Sequence, residues 1–214
     1  MLGWAWNLTS KAKGRFEDQR RRQRWAHLQS LGMHIGQGVY LPDSTWVDTA
    51  YCFLISIGDW CGFGPECVIL AHDAQMDEFL DAGLIGRVTI RESCHLGTRT
   101  VVLPGVEIGP RTIVGANSVV SRTLPPETVC AGIPAKVVCT LEQYLARHRE
   151  NLAKRPRFSC SEYGSGSLTP ERRAELIAAV ADGDAYITGG FSEELRGGGD
   201  TPRTGFVPGT KKPG

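Results

Sequence analysis

The sequence predicts an all-β solenoid, a parallel β-helix of six-residue units, with α-helices before and after it. The first observation is an unbroken register of apolar or ring residues six apart: Ile90, Leu96, Val102, Ile108, Val114, Val120 and Pro126. Helix faces repeat about every 3.6 residues and strands alternate about every two, so neither explains this spacing. A short straight run followed by a corner does. The second observation is a small residue at the fifth place of each unit: Cys94, Thr100, Val106, Thr112 and Ser118. The third is glycine directly after the key aliphatic in Leu96-Gly97, Ile108-Gly109 and Val114-Gly115, where a corner needs freedom from Cβ clashes.

The elements follow in order. Residues 1–31 form a basic N-terminal cap, helical from about residue 8, with Thr9 or Ser10 as N-cap and Gly32 as stop. Residues 32–138 are the solenoid. Its first units carry Ile35, Leu41, Val47 and Phe53; the count then slips, and Ile57, Phe63 and Ile69 resume it. Cys61 and Cys67 take the small inward place there. An insertion at residues 74–87 interrupts the solenoid a second time. An ordinary antiparallel β-protein would show alternation and turns about every 8–12 residues, and this chain shows neither. Residues 139–188 are a helical extension. Leu141, Tyr144, Leu145 and His148 lie at helical spacing, and Thr169-Pro170-Glu171 opens another helix running to about Ala181. Glycine, proline and charge dominate residues 189–214, which predicts a disordered tail.

Composition removes several classes of function. A formal charge of +1 over 214 residues gives no overall pull toward nucleic acid. Seven cysteines are an odd number for a disulfide framework, and Cys52, Cys130, Cys139 and Cys160 show no paired metal-ligand spacing. Reduced thiols in the cytoplasm account for them. No apolar run approaches the roughly 18 residues of a membrane span, and residues 1–10 lack the apolar region of a signal peptide. Between Lys11 and Arg24 seven basic residues face only Glu17 and Asp18. Such a helix can touch the anionic inner face of a membrane. It can equally cap the first coil through Trp25, Leu28 and Leu31, and the cap is the favoured reading.

Five stretches carry a resemblance. They are Leu31-Gly32-Met33-His34-Ile35-Gly36; Gly64-Pro65 with Ile69-Leu70-Ala71-His72-Asp73; Leu103-Pro104-Gly105-Val106; Val114-Gly115-Ala116-Asn117-Ser118-Val119-Val120; and Ala131-Gly132-Ile133-Pro134-Ala135-Lys136. Over about half the chain the sequence resembles the hexapeptide-repeat acyltransferases, in their sugar and polysaccharide O-acetyltransferase branch. The resemblance implies a left-handed β-helix of triangular section, against the usual right-handed rule for parallel crossovers. It also implies about three hexads per turn, homotrimers with active sites in the grooves between prisms, and acetyl-CoA as acyl donor with no metal. About a dozen hexads then make roughly four coils.

The chemistry requires a base for the acceptor hydroxyl, and neutral imidazole suits it near pH 7. His72 stands where the register fails and corresponds to the family's catalytic histidine. Asp73 is expected to orient it or to bind the acceptor; Asp48, Asp59 and Glu66 are alternative carboxylates. His95 reads as an exterior substitution. The insertion, with Asp77, Glu78, Asp81, Phe79 and Leu80, is expected to line the acceptor site and meet a neighbouring subunit. By the same resemblance Gly97, Thr98, Gly115 and Ala116 supply backbone groups to the pantetheine arm, and Lys136 and Arg122 meet the phosphate end. Arg99 and Arg111 share one place in their repeats and predict an exterior ridge. Transfer is expected to be direct, since no serine or cysteine has a paired base.

Three rivals are set beside this reading. A zinc enzyme of the γ-class carbonic anhydrase type needs clustered histidines, and His72 and His95 stand 23 apart. The others are a non-catalytic trimeric scaffold and an acetyltransferase with another acceptor, an amino sugar (N-acetylation) or serine. Arg91, Trp60 and Ile133 depart from the family pattern, and the residues that position galactosides are not recognisable between Val47 and Asp59. A simple galactoside acceptor is therefore not expected. The resemblance implies a polysaccharide of capsule or exopolysaccharide type, or a lipid-linked sugar. The protein is expected in the cytoplasm, where it can meet the inner face of the membrane.

Overall fold

The computed structural model describes residues 19–164 and 168–189. The chain divides into two compact units, Met1–His148 and Arg149–Gly214.

In the first unit the sequence register becomes three parallel sheets, each contributing one inward column. Strands His34–Ile35, Ile55–Ile57, Val88–Ile90 and Glu107–Ile108 form the first face, with Ile35, Ile57, Ile90 and Ile108 in register. Strands Gly62–Phe63, His95–Leu96, Ile113–Val114 and Thr128–Gly132 form the second, where Phe63, Leu96, Val114 and Cys130 align. Trp46–Val47, Val68–Ile69, Val101–Val102 and Val119–Val120 form the third, aligning Val47, Ile69, Val102 and Val120. Ile90 pairs with Ile108, Leu96 with Val114 and Val102 with Val120, so 18 residues, three hexads, complete one coil. From Ile57 onward each of these aliphatic and aromatic residues is buried. Each burial contributes about 1.5–3 kcal/mol of transfer free energy.

The small inward place has a second role that the sequence did not reveal. Thr100 Oγ1 donates to Gly97 O at 2.7 Å, and Thr112 Oγ1 to Pro125 O at 2.9 Å. Cys61 and Cys94 point their thiols at Arg91 O and Gly109 O, both at 3.0 Å. A small donor at this place thus meets a carbonyl near its own corner or in the adjacent coil. All seven cysteines are free thiols, and Cys52 and Cys130 join the interior ones.

Two register positions differ from the sequence expectation. Ten residues rather than six separate Val47 from Ile57. The surplus is spent on a loop ending in a 3-10 turn at Cys52–Leu54, so Cys52 fills the core and Phe53 is exposed. At the far end Leu124, not Pro126, continues the register, bridging to Ile108 beside the first face. Pro126 turns the corner instead, so close above Gly109 that a Cβ there would lie 2.6 Å from its nitrogen.

The first coil of the solenoid is covered. Residues 19–30 are helical, with Leu28 buried and Trp25 packed on the core; Leu31 stays exposed and Met33 is buried in its stead. Gly32, at φ +98, ends this helix. At the other end Thr128–Gly132 pairs antiparallel with Ala135–Thr140. Helix Leu141–Lys154 follows, opened by a capping box in which Thr140 Oγ1 accepts from Gln143 N and Gln143 Oε1 accepts from Thr140 N.

The second unit contains parallel strands Arg157–Ser159 and Tyr186–Thr188, joined through helices Cys160–Tyr163 and Pro170–Ala179. Thr169 caps the latter by accepting from Arg172 N at 3.3 Å, with Pro170 at the first helical position. The expected N-caps Thr9 and Ser10, and the tail from residue 190, lie outside the described residues.

Candidate active site

Two excursions leave the solenoid from the same corner on neighbouring coils. One follows Val47, the other follows Ile69, and Val47 and Ile69 are register partners. The second excursion departs after Ala71, where His72 and Asp73 pair antiparallel with Ile85 and Leu84. It rejoins the coil when Gly86 N donates to Ala71 O at 2.9 Å. Gly86 has to be glycine, since a Cβ would sit 2.4 Å from Gly105 N.

This arrangement brings Asp48 to His72. The Asp48 carboxylate is almost wholly buried and is surrounded by donors. Oδ1 accepts from Ala50 N at 3.1 Å and Tyr51 N at 3.3 Å; Oδ2 accepts from Ala71 N at 3.2 Å and is paired with His72 Nδ1. Burial pushes this carboxyl up, but the hydrogen bonds from His72, Ala71 and Tyr51 hold it below its ordinary value. An ionised carboxylate only accepts, so the imidazole proton resides on Nδ1 and the Nε2 lone pair is left for another partner. The His72 side chain is 35% exposed, and the Tyr51 ring lies against it at 5.0 Å between centroids, tilted 44°.

The carboxylate that orients His72 is therefore Asp48, one of three alternatives, and not its chain neighbour. Asp73 Oδ1 instead accepts from Gln75 N at 2.9 Å and shapes the turn into the loop. Adjacent residues on extended backbone point to opposite sides, which is why Asp73 turns away. Tyr51 had no signal in the sequence. Asp48 had one: both register breaks follow the third face.

The remaining expected site residues fall elsewhere on the prism. Gly97 and Gly115 line the corner between the second and third faces. A Cβ on Gly97 would stand 2.5 Å from Ala116 N, and one on Gly64 would stand 2.4 Å from Thr98 N. Asn117 N donates to Thr98 O at 2.9 Å, so Gly97, Thr98, Gly115 and Ala116 form one continuous backbone strip. Arg122 and Lys136 are exposed, but Arg122 follows the third-face strand Val119–Val120 and so lies at the corner of His72, whereas Lys136 is on strand Ala135–Thr140. His72 lies past the third face, at the next corner. Trp60 is at yet another corner, its ring so close over Gly38 that a Cβ there would lie 2.1 Å from it. The short helix Asp77–Leu80 of the insertion is exposed throughout.

Arg99 and Arg111 do not form one ridge. Twelve residues are two hexads, two thirds of a coil, so they occupy different corners. Arg99 Nε pairs with Glu66 at 2.6 Å and Arg111 Nε with Glu127 at 3.0 Å. Among the described residues no group of three histidines, cysteines or carboxylates is arranged to hold a metal, and no helix is long and apolar enough to cross a membrane.

Known proteins share this pattern. The family profile of the bacterial transferase hexapeptide, six repeats, matches residues 87–122. Galactoside O-acetyltransferase of Escherichia coli K12 is 39% identical over 117 residues, covering 50% of this chain and 53% of that protein. WcaF of the same organism, by its provisional name a colanic acid biosynthesis acetyltransferase, is 32% identical over 131 residues, covering 52% of this chain and 71% of WcaF. A hexapeptide-repeat acetyltransferase of Vibrio cholerae, solved with acetyl coenzyme A, has a TM-score of 0.44 at 21% identity, covering 56% of this chain and 78% of that one. The chain thus spans about half the galactoside enzyme and over two thirds of WcaF. The repeat, the matching profile and the resemblance to WcaF agree: this chain belongs to the hexapeptide-repeat acyltransferases, in their sugar O-acetyltransferase branch.

Proposed function

We propose that the protein transfers the acetyl group of acetyl-CoA to a hydroxyl of a sugar or polysaccharide, with His72 as general base. The observation that carries this is the His72–Asp48 pair, with Nδ1 committed to a buried carboxylate and Nε2 left to accept. The acceptor O–H gives its proton to Nε2 while its oxygen attacks the thioester carbonyl. The tetrahedral intermediate expels the coenzyme thiolate, and imidazolium returns the proton to that sulfur. Asp48 holds the tautomer and balances the transient charge. Backbone amides of the Gly115-Ala116 strip are suited to the oxyanion, and Lys136 and Arg122 to the coenzyme phosphates. The galactoside and colanic acid relatives favour a carbohydrate acceptor.

Two features support a homo-oligomer, which the family resemblance makes a trimer of left-handed prisms. The base and the coenzyme strip sit at different corners of one prism, so the strip of one chain can serve the His72 of a neighbour. The outward residues of the third face between them are Trp46, Val68, Val101 and Val119, an apolar stripe suited to subunit contact. The basic N-terminal helix acts first as a cap in this account. Arg24 donates to Asp43 O and Thr45 O, and Arg21 lies over the rings of Trp25 and Tyr40. The basic residues between Lys11 and Arg24 are further proposed to meet the cytoplasmic face of a membrane.

Calorimetric titration of acetyl-CoA into the purified protein tests the donor site. The expected result is binding at roughly micromolar Kd, about one site per chain, weakened in Lys136→Ala. Absence of binding to a well-formed assembly would favour the scaffold.

A further inference from the structure

The loop that carries Asp48 also presents two aromatic rings. Asp48 Oδ1 gathers the N–H groups of Ala50 and Tyr51, fixing the loop at its start. Cys52, fully buried, anchors the middle, its thiol 3.9 Å from Leu28 O and 3.8 Å from Leu31 O. The 3-10 turn Cys52–Leu54 then returns the chain to the first face at Ile55. With Cys52 turned inward, Phe53 turns outward, while Tyr51 is partly buried against the core. The Tyr51 ring packs against His72, and the Phe53 ring lies against Tyr51 at 6.0 Å and 47°. Phe53 is 56% exposed and sits over Gly32, where a Cβ would come within 2.9 Å of the Phe53 Cβ. The centroid separations of 5.0 and 6.0 Å keep Phe53 within 11 Å of the imidazole.

We propose that Tyr51 and Phe53 form an aromatic step that receives the acceptor. Phe53 stacks on the C–H face of a pyranose ring while a hydroxyl of the same saccharide reaches His72 Nε2. This rests on the reading of His72 as the acceptor's base. One face of a pyranose can present several C–H groups with weak positive polarity, and an aromatic face is electronegative and apolar. A ring already held by an anchored loop loses little freedom when the sugar arrives. Tyr51 is a positioning residue in this scheme, linking the docking ring to the base.

Saturation-transfer NMR of methyl glucoside and methyl galactoside against the full chain tests the step. The wild type is expected to bind at least one, Phe53→Ala to weaken it about tenfold or more, and Phe53→Trp to retain it. Acetyl-CoA affinity and oligomeric state should stay unchanged in both variants. Equal binding by wild type and Phe53→Ala, or no binding of either glycoside by the wild type, would overturn the proposal. Loss of assembly in Phe53→Ala would do so too, making the ring a subunit contact. In the same samples, thiol release from acetyl-CoA on transfer to the bound glycoside is compared between wild type and His72→Ala. A lack of His72-dependent release defeats the acyl-transfer reading and leaves the glycoside result standing on its own.

Discussion

Replacing Asp48 by asparagine exchanges one carboxylate oxygen for an NH2 group where every neighbour is a donor. Oδ1 faces Ala50 N and Tyr51 N; Oδ2 faces Ala71 N and His72 Nδ1. If the NH2 takes the Oδ2 place, it meets Ala71 N–H and drives the His72 proton to Nε2, leaving no lone pair for the acceptor. If it takes the Oδ1 place, it opposes two backbone N–H groups at once. Either way a buried donor loses its acceptor, costing about 1–3 kcal/mol. The Oδ2 place is favoured for the NH2, since it opposes one backbone N–H rather than two, and the base lost there lowers the acetyl-transfer rate about 10²–10⁴-fold. The pH dependence follows from the same carboxyl. Its folded-state value is held below the ordinary 3.8, so its ionised form stabilises the fold above that pH. That contribution fades as pH falls below 3.8 toward the depressed value, and the gap between wild type and Asp48→Asn narrows there. The assays are thiol release from acetyl-CoA, urea unfolding at neutral and acid pH, and 15N NMR of the His72 ring. A variant within about threefold of the wild-type rate, with Nδ1 still protonated, would refute the tautomer argument.

Three further outcomes are expected. Val114→Asp places an uncompensated charge in the middle of the second face, where Val114 is fully buried, and should prevent folding; a normal unfolding midpoint would refute the register. Gly97→Ala should destabilise more than Gly105→Ala, because its Cβ would strike backbone of the next coil at 2.5 Å, whereas Gly105 has open space and only its φ of +79 against it; thermal melts of the two decide. Val101→Asp, on the apolar outer stripe of the third face, should yield monomers with unchanged circular dichroism; an intact assembly by sedimentation would remove that face from the subunit contact.

The inward columns were legible because a six-residue period needs only one side chain per strand to repeat. Ile90 through Val120 therefore read straight from sequence into structure. Phe53 and Pro126 misled because spacing alone cannot distinguish a continuing hexad from a loop of the same length. Burial decided against both, with Cys52 and Leu124 taking up the interior. His72 was marked by the failing register, and so, less visibly, was Asp48. Their pairing depends on the offset between coils, 24 residues along the chain, which contains one insertion and no constant repeat. The Arg99 and Arg111 ridge failed for a related reason: equal place in a hexad is not equal corner until three hexads are counted to a turn.

The central claim is that His72 takes the proton of the acceptor hydroxyl. The most direct measurement is the single-turnover rate of labelled acetyl transfer by wild type and His72→Ala, each saturated with acetyl-CoA and a saccharide acceptor. The account predicts unchanged acetyl-CoA affinity in the variant and transfer slower by about 10²–10⁴-fold. Transfer by His72→Ala at the wild-type rate would contradict it.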